Sequence, residues 1–368
     1  MAATRIIVGI SGGVDSAVAA LDLVERGHAV EGLFMKNWDD PDDPGHCPLD
    51  RDLEAAEAVC GTLGIPLRKV EFTAEYWNRV FEHFLAEYDA GRTPNPDILC
   101  NSEIKFRAFL DHALELGATA IATGHYARIA ADARGGFRLL RGADPDKDQS
   151  YFLHAIDRRA LARTLFPLGE YAKTDVRERA RAAGLPNHDR PDSTGICFIG
   201  ERRFAEFLST YLPTRPGRME TPEGRAVGEH TGLMHYTIGQ RQGLGIGGGH
   251  GVDGRPWYVL AKDTARNVLV VGQGHDHPWL HAAALDSEAP HWLADAPRAP
   301  FDCSAQVRYR QRAVPCRVVP GDAGLRVTFE RPVRAITPGQ SVVLYDGDHC
   351  LGGAVIRRAV GAGTAVPA

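Results

Sequence analysis

The chain has 368 residues, too many for one compact core, with 44% hydrophobic and 24% charged residues and a formal net charge of −5, the composition of an ordinary soluble, multidomain protein. The negative balance excludes a uniformly basic coat for nucleic acid, so any RNA surface must be regional. The start Met-Ala-Ala-Thr-Arg carries no secretory pattern, no apolar run approaches the ~20 residues of a membrane helix, and the seven cysteines contain no Cys-x-x-Cys pair. Membrane insertion, a disulfide framework, a ribbon-type zinc site and any other metal centre built by the chain are therefore not expected, and a cytoplasmic location is.

Ile6-Ile7-Val8 predicts a buried strand and Ala17 to Leu21 a helix, so Gly9, Ile10, Ser11, Gly12, Gly13, Val14, Asp15 and Ser16 form a strand-to-helix turn. Gly12 and Gly13 let backbone N–H groups approach an anion, and the helix N-terminus adds free donors and partial positive charge. No Gly-Lys-Ser/Thr closes the turn as in a Walker A loop, and it is not the Rossmann fingerprint. A plain glycine turn with Asp15 or Ser16 capping the helix is the alternative.

Further strands are predicted at Ala29 to Met35, Leu67 to Phe72 and Ala118 to Ala122, and helices at the periodic residues Leu53 to Leu63, Tyr76 to Tyr88 and Phe106 to Leu114. Four alternations of strand and helix predict a parallel sheet covered on both faces, with ligands beyond the strand C-terminal ends. That rule makes the Gly9–Ser16 turn, Met35 and Gly124-His125 neighbours of one crevice. A hairpin is predicted around Leu139 to Arg141, a helix capped by Thr174 and ending at Gly184, and an exposed loop over Pro186 to Gly195. Pro213, Pro216 and Pro222 then punctuate a linker, and Gly243 to Gly248 fits G-x-G-x-x-G, with no strand leading in and no helix able to open after it.

In the last third Cys303, Ala305, Val307 and Tyr309 alternate with Ser304, Gln306, Arg308, Arg310 and Arg312, which predicts a strand with three arginines on one face. Strands at Val314 to Val319, Leu325 to Phe329, Ser341 to Tyr345 and Leu351 to Ile356 complete a small antiparallel barrel. Between Arg298 and Arg334 eight arginines stand against Asp302, Asp322 and Glu330. Such a face suits an RNA backbone or is simply a solvated strand face. The expected fold class is α/β with a parallel-sheet domain over 1–212, a small linker-like central domain over 213–280, and a C-terminal antiparallel β-barrel over 281–368.

Two thiols stand out. Cys100 enters the Phe106 helix from a Pro-stiffened loop, Thr93-Pro94-Asn95-Pro96-Asp97, with Lys105 and Arg107 following, a setting that favours the thiolate. Cys197 lies in Asp192-Ser193-Thr194-Gly195-Ile196-Cys197-Phe198-Ile199-Gly200. For each taken singly, an inert buried thiol is the competing reading.

The Ser-Gly-Gly-Val-Asp-Ser turn resembles the loop of the ATP pyrophosphatase (PP-loop) superfamily, whose domain is of the adenine nucleotide alpha hydrolase type. Together with Phe34 to Trp38, Gly91 to Phe106, Gly124 to Tyr126, Lys147 to Leu153, Asp192 to Gly200, Gly239 to Gly248, Val307 to Gln311 and Thr337 to Ser341, it is similar to the tRNA-specific 2-thiouridylase family (MnmA, also called TrmU) over nearly the whole chain. The resemblance implies that ATP adenylates the C2 carbonyl oxygen of the wobble uridine and that sulfur then replaces it. It implies that Cys197 carries a persulfide, that Cys100 is the catalytic nucleophile, and that a transient Cys100–Cys197 disulfide closes the turnover. It assigns Gly9 to Ser16, Met35 and Gly124 to ATP, and Asn95, Pro96 and Asp97 to the target base. His125, Lys147, Asp148, Gln149, Arg308, Tyr309 and Gln340 are assigned to tRNA. Mg²⁺ is expected with ATP because Asp15 would repel a bare triphosphate, and a cysteine desulfurase or sulfur-relay protein is expected as sulfur donor. Another PP-loop enzyme needing no cysteine, such as an amidotransferase-type synthetase or a tRNA lysidine synthetase, and a non-enzymatic RNA-binding module are the competing classes.

Overall fold

A computed structural model describes residues 4–38, 48–132, 135–192, 204–246 and 254–361. The chain groups into two compact units: Met1–Glu82, Pro96–Gly200 and Gly347–Leu351 form the first, and His83–Asn95, Glu201–Asp346 and Gly352–Ala368 the second.

The first unit is built on β1 (Arg5–Gly9), β2 (Ala29–Lys36), β3 (Leu67–Glu71), β4 (Ala120–Ala122), the hairpin β5 (Ala127–Ala131) and β6 (Phe137–Arg141), and β7 (Thr164–Leu165). The strands β3-β2-β1-β4-β7 make one sheet in that order, all parallel. The four expected strands are present, and β7 joins as a fifth that two residues are too few to reveal by periodicity. Ile6, Val8, Ile10, Ala20, Leu23, Phe34, Ala56 and Cys60 fill one core cluster, and Val14, Ala17, Val18, Tyr126, Leu168, Val176 and Leu185 another. The strand order reverses between β1 and β4, which is where sheets of this kind open a ligand crevice. His349 and Cys350 pair with Leu140 and Leu139 at the edge of the β5–β6 hairpin.

Two helical stretches widen into π-helix, at Trp77–Phe81 and over nine residues at Cys100–Ala108. Such segments are rare and concentrate at functional sites. The helix expected around Phe106 starts at Pro96, so Cys100 lies a turn inside it. The helix Lys173–Ala182 is not capped by Thr174. Its N-cap is Ala172, and the carboxylate of Asp144 reaches across to accept from the Lys173 N–H at 3.0 Å, a long-range cap that local sequence does not encode.

In the second unit the proline-punctuated stretch is not a linker. It folds with β8 (Gly217–Glu220), β9 (Ala226–His230), β10 (Trp257–Asp263) and β11 (Val268–Gln273) into a sheet of order β10-β11-β8-β9, around Met219, Val227, Val259, Leu269 and Val271. The three prolines stand in the connections, where a missing N–H costs no ladder bond. Next come β12 (His281–Ser287), β13 (His291–Trp292), β14 (Phe301–Gln306), β15 (Val314–Gly321), β16 (Gly324–Arg334), β17 (Ser341–Asp346) and β18 (His349–Val360). The order β12-β16-β15-β14-β17-β18, with β18 pairing back to β12, closes the expected antiparallel barrel and leaves it no open edge.

One expectation fails here. β14 stops at Gln306, and Arg310 adopts φ +62° in the turn that follows, so Arg308, Arg310 and Arg312 do not line one strand face. The alternation continues in the sequence, but the chain has already turned.

Candidate active site

β1 delivers the chain to Gly9, and the helix Val14–Glu25 begins four residues beyond Ile10. Gly12 takes φ +78°, which an L side chain would resist. Neither Asp15 nor Ser16 is the helix cap: Gly13 is the N-cap, and having no side chain it makes no side-chain capping bond. The Ser16 hydroxyl instead donates to the Gly13 carbonyl at 3.0 Å and accepts from the Ser11 N–H at 3.2 Å, folding the turn upon itself. Asn187 Nδ2 and Arg190 Nη1 donate to the Gly12 carbonyl at 2.9 and 3.2 Å, and Arg190 also pairs with Asp52. The loop expected to be exposed over Pro186 to Gly195 is therefore partly built into the site, with Asn187 only 5% exposed. A side chain drawn in to satisfy a distant carbonyl has no local sequence signature.

The charge of Asp15 is balanced within the protein. Its Oδ1 accepts from the Tyr126 hydroxyl and from Lys173 Nζ, both at 2.7 Å. Lys173 also pairs with Asp192 at 2.8 Å, and Asp192 is paired with Lys147 and Arg177 at 2.7 Å each. Burial would raise the Asp192 carboxyl, but the hydrogen bonds from Lys147 and Lys173 outweigh it and hold the group well below the usual carboxylate range. Burial and the neighbouring Asp15 push the Tyr126 hydroxyl far up, so it stays a donor. Lys173 and Arg177 carry no signature in the sequence, where they read as the ordinary polar start of a helix. Among the described residues no group of three His, Cys, Asp or Glu side chains could hold a metal ion.

Gly9, Met35 and Gly124 meet the turn as expected. A Cβ placed on Gly9 would lie 3.3 Å from Met35 Cε, and one on Gly124 would lie 2.7 Å from the Asp15 carbonyl carbon and the Ser16 nitrogen. The second contact is with backbone and has nowhere to give. Gly124→Ala is expected to cost about 1–3 kcal/mol in stability and to weaken nucleotide binding, measured by calorimetric titration with a non-hydrolysable ATP analogue. Unchanged affinity would show that Gly124 is a neighbour of the turn and no part of its function.

His125 follows directly and belongs to a second cluster. Its ring packs on Phe106 and Phe166, with centroids 5.6 and 6.0 Å away, and its Nδ1 lies 2.8 Å from Thr123 Oγ1. Burial, and secondarily the Lys105 cation, drive its pKa well below the ordinary histidine value, so the imidazole is neutral at pH 7. Burial raises the Asp97 carboxyl, opposed by the same Lys105. Lys105 thus stands electrostatically between Asp97 and His125. Cys100 is 1% exposed, and the adjacent Asn101 donates to the Phe152 carbonyl at 3.2 Å. Cys197 lies outside the described residues.

Asp148 and Gln149 serve inside the fold. Asp148 accepts from Arg141, the Gly142 N–H, the Ser150 N–H and the Ser150 hydroxyl at 2.8 to 3.0 Å. Gln149 Oε1 accepts from the Tyr126 N–H at 3.0 Å and so fixes the turn that carries Gly124 and His125.

Other named residues sit in the second unit, with Asn95 ending the segment His83–Asn95 while Pro96 and Asp97 start the Cys100 helix in the first. Gln340 Nε2 donates to the Thr93 carbonyl at 2.8 Å, and the Thr93 N–H donates to the Pro338 carbonyl at 3.0 Å. Arg308 is turned inward, donating to the Ile238 carbonyl at 3.2 Å and to Thr337 Oγ1 at 3.3 Å, and Arg310 lies 5.4 Å over the Tyr309 ring. Lys262, missed in the sequence, places Nζ 3.4 Å from Thr93 Oγ1. Burial brings its ammonium down to about 8, and among the described residues no carboxylate pairs with it.

Residues 4–201 match the tRNA methyl transferase HUP domain, 205–273 the tRNA methyl transferase PRC-barrel domain, and 283–356 the aminomethyltransferase beta-barrel domain. Among curated proteins, the tRNA-specific 2-thiouridylase MnmA of Chromohalobacter salexigens is 59% identical over 96% of this chain and 93% of that protein. Those of Stutzerimonas stutzeri and Hahella chejuensis are each 58% identical, over 97% and 96% of this chain and 95% and 97% of theirs. Among solved structures, the U34-tRNA thiolase NcsA from Methanococcus maripaludis covers 56% of this chain and 63% of that one at 17% identity and a TM-score of 0.35. With three domain families matched in order and such identity over almost the full length of its relatives, the chain belongs to the tRNA-specific 2-thiouridylase MnmA family.

Proposed function

We propose that the protein replaces O2 of the wobble uridine, position 34, of tRNA with sulfur, using ATP to make the oxygen a leaving group. Family membership makes it a tRNA sulfurtransferase; the residue roles below are the finer reading. One observation supports it most. Gly124 abuts the Asp15–Ser16 backbone, and the next residue, His125, packs on Phe106 of the Cys100 helix. The nucleotide turn and the thiol helix are thereby joined through two consecutive residues.

In this reading the Gly9–Ser16 turn and the helix N-terminus hold the phosphates, with Met35 and Gly124 against the nucleotide. Lys173 offsets Asp15 at the point where the triphosphate arrives. Mg²⁺ would accompany ATP and offset the charge of its phosphates, while Asp15 Oδ1 is held by Tyr126 and Lys173. Asn95, Pro96 and Asp97 receive the uracil, which an anticodon loop extrudes at low cost. Neutral His125 supplies a ring and a hydrogen-bonding nitrogen without added charge. Lys147, Arg308, Tyr309 and Gln340 serve the tRNA directly or by holding the elements that do, and Asp148 and Gln149 act through the fold.

The C2 carbonyl oxygen attacks the α-phosphorus and pyrophosphate leaves. The terminal sulfur of a Cys197 persulfide adds at C2 and AMP departs. The Cys100 thiolate then attacks Cys197 Sγ, releasing the sulfur on the base and leaving a Cys100–Cys197 disulfide for a cellular reductant. A persulfide carrier, either a cysteine desulfurase or a relay protein, reloads Cys197. No described helix is long and apolar enough to cross a membrane, and a cytoplasmic setting would keep the pair reduced between turnovers.

The test is thiolation of a uridine-34 anticodon stem-loop with ATP and a sulfide source, read by nucleoside mass spectrometry. The expected result is 2-thiouridine with matching pyrophosphate. Pyrophosphate without sulfur incorporation would favour another PP-loop synthetase, and RNA binding with no pyrophosphate would favour a non-enzymatic module.

A further inference from the structure

The barrel holds a second pair of thiols that the proposed reaction does not use. Cys303 in β14 and Cys316 in β15 stand directly opposite each other in the antiparallel register, with their sulfur atoms 3.7 Å apart. Both are free, Cys316 buried and Cys303 partly open to solvent. Opposed residues of antiparallel strands have Cα atoms about 4.5 or 5.5 Å apart. Both values fall inside the roughly 4.4–6.8 Å that a disulfide spans, so side-chain rotation alone brings the sulfurs to bonding distance.

We infer that Cys303 and Cys316 form a thiol–disulfide site, separate from Cys100 and Cys197, that low-molecular-weight disulfides of the glutathione type oxidise. The Cys303 thiolate, on the accessible side, attacks one sulfur of the oxidant and expels the first thiolate, leaving a mixed disulfide on Cys303. Cys316 then attacks Cys303 Sγ and expels the second. Two cysteine protons pass to the two departing thiolates, and the two electrons lost by the pair reduce one oxidant disulfide to two thiols. The hydrogen bond to Cys316, burial and the carboxylates of Asp302 and Asp346 keep Cys303 protonated far above the ordinary thiol range. Cys303 is therefore slow to attack near neutrality and faster as pH rises.

The consequence is local. Residues 307–313 connect β14 to β15 and carry Arg308, Tyr309, Arg310 and Arg312. A bond between Cys303 and Cys316 staples the base of that turn, fixing the two strands from which it projects.

The experiment treats the reduced full-length protein with excess oxidised glutathione over a pH series, quenches with an alkylating agent and maps the peptides. The expected product is a linked pair of peptides containing Cys303 and Cys316, lighter than the two reduced peptides by the two thiol hydrogens and forming faster at higher pH. Cys303→Ser should abolish the link and leave Cys316 alkylated. Binding of phenylarsine oxide, which bridges adjacent thiols, should be lost from this peptide pair in the same variant, a readout that needs no oxidation. Recovery of both cysteines singly alkylated, or a glutathione adduct on Cys303 that never resolves, overturns the inference. Neither result bears on the thiolation reaction, which is assayed separately.

Discussion

Serine in place of Cys100 or of Cys197 is expected to abolish 2-thiouridine formation by at least about 10³-fold, the scale on which removal of a covalent nucleophile is felt, while ATP binding persists. In the proposed reaction the nucleotide turn and the thiols serve successive steps. The turn is held by Ser11, Ser16, Asn187 and Arg190, and none of these contacts passes through Cys100. Serine differs from cysteine by one atom and adds little volume change at Cys100, which is 1% exposed, so the fold should tolerate it there. The two variants should differ in what accumulates. Cys197→Ser cannot accept donor sulfur, whereas Cys100→Ser should still load a persulfide that alkylation and mass spectrometry detect on Cys197. Product at the wild-type level from either variant would remove the cysteine mechanism and leave an adenylating enzyme that draws sulfur from elsewhere.

The second large effect is expected at Lys173. Its ammonium is shared by Asp15 and Asp192, and Lys173→Met would leave Asp15 without its cation beside the proposed triphosphate site, while Lys147 and Arg177 still pair with Asp192. Pyrophosphate release with the stem-loop should fall by about 10²–10³-fold, comparable to losing one preorganised charge partner in an active site, and Lys173→Arg should recover part of it. The same change has a sign in pH. Asp192 is held below its ordinary value of 3.8, so its pairing stabilises the fold above that pH, and this stabilisation is lost as pH falls through the depressed value. Without Lys173 the carboxyl returns upward, although Lys147 and Arg177 still hold it in part. Acid unfolding followed by circular dichroism should therefore begin at higher pH in Lys173→Met than in the wild type. If turnover and acid unfolding are both unchanged, the pairing of Lys173 with the two acids serves neither the reaction nor stability.

The contrast between Asp15 and Lys173 shows what the sequence could carry. Asp15 was legible because strand, glycines and helix follow one another within a dozen residues, and local sterics dictate that turn. Lys173 lies 158 positions from Asp15, and nothing in the residues around it separates it from other helix-starting lysines. His125 was named from its motif, but its neutrality depends on burial and on Lys105, which no one-dimensional pattern encodes. The arginines beyond Gln306 mark the opposite failure. Their alternation reads as a strand face, yet the chain turns there, and Arg308 Nη2 donates to the Ile238 carbonyl and Thr337 Oγ1.

By itself, then, the sequence determined the parallel-sheet unit, the glycine turn between its first strand and helix, and the barrel, because each follows from periodicity and backbone sterics acting over a few residues. It also marked Cys100 and Cys197 through the motifs around them. Only the tertiary structure decided that Asp15 is neutralised by Lys173, that Asn187 and Arg190 hold the Gly12 carbonyl, and that the proline-rich stretch folds as a sheet. It alone placed Cys303 against Cys316. These depend on which distant side chains are brought within a few ångströms of one another and shielded from water, and that is set by packing across the chain rather than along it.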